Sequence, residues 1–246
     1  MIDINNKIFN FYEPSQIIDE QLNLLQKNKV ENVFTDSIYI ISEKYIPLRE
    51  KAFLINQFYN LVTNYNYEKS KIYEKKENNL SGTEVIFTKE FLEINTQIID
   101  YCLVDSNFLL MDLTNNTSKI DYSNFEELKN QNIIPIISHP ERIDKLTDLS
   151  EIRKLKKNGV LFQLSLGSLD GSFGELTRLN SKKLLAKDTY DFIASDTVNY
   201  KKIDESYLEI RLDEVSEIIG HSKLDQIIYK NPLNIIDHKN SNNYQI

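Results

Sequence analysis

Three apolar runs in the second half of this chain end in side chains that can do chemistry. Ile134-Pro135-Ile136-Ile137-Ser138 leads to His139-Pro140-Glu141-Arg142, Val160-Leu161-Phe162-Gln163-Leu164 leads to Ser165, and Tyr190-Asp191-Phe192-Ile193-Ala194-Ser195 leads to Asp196. An apolar run closed by a histidine and then a proline, which has no N–H to continue a ladder, reads as a buried strand delivering a polar side chain at its C-terminal end. α/β barrels place their sites at that end. His139, Ser165 and Asp196 are therefore expected on one rim.

The elements that must position them follow from the same pattern. Seven strand candidates are Ile2 to Ile4, Val30 to Thr35, Thr83 to Phe87, Phe108 to Asp112, Ile133 to Ser138, Val160 to Ser165 and Phe192 to Ser195. Between them helical periodicity recurs: Ile17, Ile18, Leu22 and Leu25 behind Ser15, Pro47 to Tyr65, Tyr122 to Asn130, Leu149 to Asn158 before Gly159, Phe173 to Lys187, and Ser206 to Ile219 before Gly220. Residues 67–80 have no clear period and read as a loop or a surface helix. Alternating strands and helices predict an α/β fold with parallel strands and helical crossovers. The chain shows no internal repeat or linker, so residues 1–246 are read as a single domain, with 232–246 a polar, loosely ordered tail.

Composition narrows the function. A net charge of -8 leaves no basic surplus for a nucleic-acid backbone, so an anionic substrate must be captured by local positive charge. The single Cys102 lies in an apolar run and excludes both an internal disulfide framework and a cysteine cluster for zinc. No apolar run approaches the roughly 20 residues of a membrane span, and no charged-then-apolar leader opens the chain, which predicts cytoplasmic residence.

Three words carry a resemblance: Ile-Pro-Ile-Ile-Ser-His-Pro-Glu-Arg at 134 to 142, Gly-Ser-Leu-Asp-Gly-Ser-Phe-Gly at 167 to 174, and Phe-Ile-Ala-Ser-Asp at 192 to 196. Together they resemble the bacterial tyrosine-protein phosphatases of the PHP (polymerase and histidinol phosphatase) superfamily, which act in capsule and exopolysaccharide synthesis. The resemblance implies a distorted (β/α)7 barrel, a cluster of up to three metal ions, usually manganese, and a partner in a tyrosine kinase of polysaccharide export or its tyrosine-rich tail. It also assigns positions. Glu84 of Gly82-Thr83-Glu84, His139 and Asp196 match metal ligands. Arg142 matches the arginine of the family's His-Pro-Glu-Arg word, which with Ser165 and Ser168 suits a phosphate, and Arg142 and Asp196 are the catalytic candidates.

Four ligand positions depart from the pattern, with Asn5, Lys7, Ser37 and Val198 standing where imidazoles are expected. The other histidines, His221 and His238, lie too late in the chain to substitute. Losing four nitrogen donors and gaining an ammonium points to one remaining site for manganese or another divalent ion, or to none, with Lys7 among Glu84 and Asp196 in the metal's place. Arg142 has an alternative role as an ion-pair partner of Glu141 or Asp144. The expected protein is a phosphotyrosine-phosphatase-like protein of capsule biosynthesis that is weakened or a pseudoenzyme. The alternative is an active manganese-dependent phosphotyrosine phosphatase using a reduced site.

Overall fold

The computed structural model describes residues 2–6, 32–39, 81–87, 91–92, 98–103, 106–114, 120–196 and 206–238. Seven strands appear at the apolar runs, with β1 longer and β2 and β3 offset from their expected bounds: β1 Ile2–Asn6, β2 Asn32–Tyr39, β3 Ser81–Ile86, β4 Phe108–Asp112, β5 Ile134–Ser138, β6 Leu161–Ser165 and β7 Phe192–Ala194. They form one sheet in sequential order, and every neighbouring pair is parallel. β1 and β7 lie beside each other, so the sheet curls round into a barrel.

Side chains alternate across a strand, and partners in register share a face. Leu110 pairs with Ile136 and Ile136 with Leu161, while Ser138 pairs with Gln163 and Gln163 with Phe192. This face is the barrel interior. Its lower part is apolar, with Leu110, Ile136, Phe192 and Ala194 in one buried cluster. Its upper part is polar, with Ser138, Gln163 and Ser165 fully buried. The opposite face carries Leu109, Met111, Ile137, Phe162, Leu164 and Ile193 into the larger core beneath the helices.

Those helices are α1 Tyr122–Asn130, α2 Leu149–Lys157, α3 Glu175–Leu185, α4 Tyr207–Ile219, α5 His221–Asp225 and α6 Asn231–His238. Asp121 and Asp148 cap α1 and α2 by accepting the N–H of Ser123 and Ser150, which satisfies a donor that each helix start would otherwise strand. The helix expected from Phe173 begins only at Glu175, because Gly174 has φ +94 and stands outside helical space. Phe173 is thereby left on a loop. The helices expected at 17–25 and 47–65, and the segment 67–80, lie outside the described residues.

One expectation is corrected. Residues 232–246 are not a loosely ordered tail throughout, since Asn231–His238 is helical and Ile235 is fully buried against Leu110, Ile136, Phe192 and Ala194. Phe108 and Leu161, the first residues of β4 and β6, border the same cluster, so α6 closes the N-terminal mouth of the barrel. The polar composition of the segment concealed the apolar side chains that face inward, Ile235 in the cluster and Leu233 packed against it. Residues 239–246 lie outside the described residues.

Candidate active site at the C-terminal rim

Glu84, from within β3, lies together with His139 and Asp196, which follow β5 and β7. Each offers one ligand atom, and these atoms all lie within 4.8 Å of one another, with all three residues buried. His139 Nε2 stands 3.1 Å from Glu84 Oε1, 3.1 Å from Ser138 Oγ and 4.0 Å from Asp112 Oδ2. Ser138 Oγ in turn donates to the carbonyl of Met111 on the neighbouring strand. Burial works to lower the His139 pKa, but the Glu84 hydrogen bond and charge, helped by Asp196 and opposed by Arg142, leave it raised. His139 and Asp196 both adopt left-handed backbone, with φ 36 and φ 42. For residues with a Cβ such conformations cost of order 1–3 kcal/mol each and cluster at functional sites.

Among the described residues, Arg142 is the cation of this rim. Its Nη2 donates to Asp196 Oδ2 and to Ser165 Oγ, each at 2.5 Å, and its Nε donates to Ser168 Oγ at 3.2 Å. The ring of Phe173 covers the guanidinium, with its centroid 3.4 Å from Cζ. The alternative pairing with Glu141 or Asp144 is not formed. Pro140–Arg142 is a turn of 3-10 helix, in which successive side chains point about 120° apart. Glu141 consequently turns inward, where it accepts the Ser165 N–H at 3.2 Å and the Tyr190 hydroxyl at 3.0 Å. Burial pushes the Glu141 pKa up against the pull of Arg142, and burial followed by the Glu141 charge pushes Tyr190 well up.

The substrate candidates Ser165 and Ser168 thus join Arg142 and Asp196 in one hydrogen-bonded group. Asn5 and Ser37 fall on β1 and β2, and Lys7 and Val198 lie outside the described residues. So does the expected Lys7 contact with Glu84 and Asp196. Among the described residues the cation on Asp196 is Arg142. Sequence reasoning missed Glu141 as a strut between strand ends, and missed Tyr190 and Phe173. A glutamate directly after a strand end, two residues past His139, was the available signal for the first, and an aromatic between Gly171 and Gly174 for the last.

The donors present fit one divalent ion. Two carboxylates and an imidazole suit a hard or borderline cation, and His139 Nδ1 is buried with no hydrogen-bond partner among the described residues. Ligands about 2.1 Å from one ion stand no more than about 4.2 Å apart. A 4.8 Å spread needs only a small contraction to meet that limit.

A family model described as capsular polysaccharide synthesis, CpsB/CapC, matches residues 2–237. "Putative tyrosine-protein phosphatase CapC" of Staphylococcus aureus is 31% identical over 205 residues, covering 80% of this chain and 76% of its own. Tyrosine-protein phosphatase YwqE of Bacillus subtilis (strain 168) is 35% identical over 78 residues, 31% of each chain. Among solved structures, a chain from the crystal structures of YwqE from Bacillus subtilis and CpsB from Streptococcus pneumoniae, described as unique metal-dependent tyrosine phosphatases, superposes with a TM-score of 0.72. Its sequence is 20% identical, with 97% of this chain and 95% of that chain covered, so this likeness carries the α/β fold.

Proposed function

Because the chain belongs to the CpsB/CapC family of capsular polysaccharide synthesis, we propose that it binds phosphotyrosine in a capsule-assembly partner and hydrolyses it slowly, with a single divalent ion. The observation that carries this reading is the junction at Asp196, where a one-ion donor set of Glu84, His139 and Asp196 meets the guanidinium of Arg142. The kinship supplies the reaction class, and the replaced imidazoles supply the slowness.

The chain's own residues divide the work. Arg142 is pinned by Ser165, Ser168 and Asp196 and directs its remaining charge at phosphoryl oxygens. Glu84, His139 and Asp196 would hold the ion, manganese or a similar divalent cation. When bound, such an ion supplies charge against the phosphoryl group and lowers the pKa of water. Glu141 keeps the turn carrying Arg142 in register with β6 through the Ser165 N–H. The partner is read as a tyrosine kinase of polysaccharide export or its tyrosine-rich tail, met in the cytoplasm. No helix among the described residues is long and apolar enough to cross a membrane.

The test is hydrolysis of an aryl phosphate and a phosphotyrosine peptide with added manganese, beside a relative that keeps the four imidazoles. Turnover should lie at least about tenfold below the relative, the equivalent of about 1.4 kcal/mol of lost transition-state stabilisation, and should vanish in His139→Ala. Equal rates would overturn the reduced-site reading, and manganese-independent turnover would overturn the metal.

A further inference from the structure

Phe173 is a large apolar side chain left 37% exposed, beside Arg142, Ser165, Ser168 and Asp196, which among the described residues give this part of the rim charged and hydroxyl groups. Filling the core does not account for it. The loop that carries it is bracketed by Gly171 and Gly174, both at positive φ, and α3 starts only beyond them. The ring's inner edge is seated by Gly167, where a Cβ would stand 3.1 Å from Phe173 Cε2. Its face lies on Arg142. The guanidinium therefore has one face against the ring, Nε on Ser168, and Nη2 on Ser165 and Asp196. Nη1 is the nitrogen left to meet an anion, with no partner among the described residues.

An arginine alone cannot tell an aryl phosphate from an alkyl phosphate, because both present the same charged oxygens. Discrimination needs a group that meets the rest of the ester. We propose that Phe173 is a specificity residue, whose exposed ring takes the aromatic ring of an aryl phosphate held at Arg142, so that aryl phosphates are preferred to alkyl ones. Ring pairs prefer offset or edge-to-face contact, and a ring already fixed on Arg142 and Gly167 makes such a contact at little ordering cost. Leu176 and Leu179, three and six residues on and both exposed, extend apolar surface along α3.

The proposal rests on the phosphate-binding reading above, and its test is built to fail separately from it. Phenylphosphonate and methylphosphonate, neither of which can be hydrolysed as an ester, are titrated calorimetrically into the full chain with manganese present and absent. The wild type should bind phenylphosphonate about threefold to tenfold more tightly than methylphosphonate. In Phe173→Ala and in Phe173→Leu, which keeps apolar bulk without a ring, the ratio should fall to near unity. Phe173→Tyr should restore it, and Gly167→Ala, which presses on the ring, should reduce it. A preference that survives Phe173→Ala, or equal binding of both probes by the wild type, overturns the proposal and leaves Arg142 as a phosphate site. Failure of the wild type to bind either probe overturns both readings together.

Discussion

Replacing Arg142 with alanine is expected to destabilise the fold in a way that divalent metal offsets. The pair it breaks joins a fully buried carboxylate to a guanidinium whose side chain is 13% exposed, at 2.5 Å. Removing one partner of a buried ion pair costs about 3–5 kcal/mol, because the remaining charge keeps its desolvation and loses its attraction. For a domain of this size each kcal/mol moves the melting temperature by about 2–4 °C, so a fall of about 6–20 °C follows. The same substitution removes the cation that competes for Asp196. A divalent ion bound by the folded state alone adds about 2.7 kcal/mol at a hundredfold excess over its Kd, and Arg142→Ala should tighten that binding. Manganese should therefore raise the melting temperature of the variant by more than that of the wild type. Thermal melts with and without manganese read both effects, and an Arg142→Ala/Asp196→Ala pair should recover part of the loss, since the carboxylate that faced the guanidinium is gone. A variant that melts within about 2 °C of the wild type, or manganese shifts that are equal in the two proteins, would refute this account of the rim.

Ile235→Ala should cost about 2–5 kcal/mol in urea unfolding, the range for truncating a fully buried Ile, whereas an unstructured tail would show no change. Tyr122 has its pKa pushed up to about 12, by burial first and then by its hydrogen bond to Glu151 and the charge there. A folded pKa above the unfolded value of about 10 favours the neutral phenol, so this stabilisation is full below about pH 10 and lost as pH rises through about 12. A difference titration of tyrosinate absorbance against Tyr122→Phe should accordingly lack one late step, and an early step missing instead would contradict it. Manganese titrated into the wild type should saturate near one ion per chain and fail to bind Glu84→Gln, while histidines restored together at Asn5, Lys7, Ser37 and Val198 should raise the count. A count above one in the unmodified chain would show that these positions still contribute ligands.

The strands were legible because period and punctuation agree. β4 was predicted as Phe108 to Asp112 and found there, and β5, β6 and β7 differ from expectation by a residue at an end. Each is an apolar run bounded by polar residues or glycine, which is a local property. Convergence of His139 and Asp196 was legible for a related reason: parallel strand ends in one barrel share a rim, whatever the intervening helices do, whereas Glu84 lies inside β3 and was a candidate only through the family resemblance. Ile235 was not legible. Its burial depends on a barrel mouth that only the closed sheet creates, and a short segment carrying so many polar residues gives no local sign of it.

The partners of Arg142 show the same limit at the scale of one turn. Sequence proximity offered Glu141 and Asp144, yet Arg142 pairs with neither, and the 3-10 turn after His139 sends Glu141 inward and Arg142 along the rim. The consequence is a division of labour between adjacent residues. Glu141 fixes the backbone by bridging to Ser165 N–H and Tyr190, and so Arg142 is free to pair with Asp196, 54 positions away. A carboxylate beside an arginine in sequence is then a poor guide to charge balance. The better guide is strand parity, since Ser165 follows Gln163 at the interior spacing and Asp196 follows Ala194 at the same spacing. Parity alone would have aimed both at the axis of the barrel, where Arg142, reaching from the turn after β5, meets Asp196 Oδ2 at 2.5 Å.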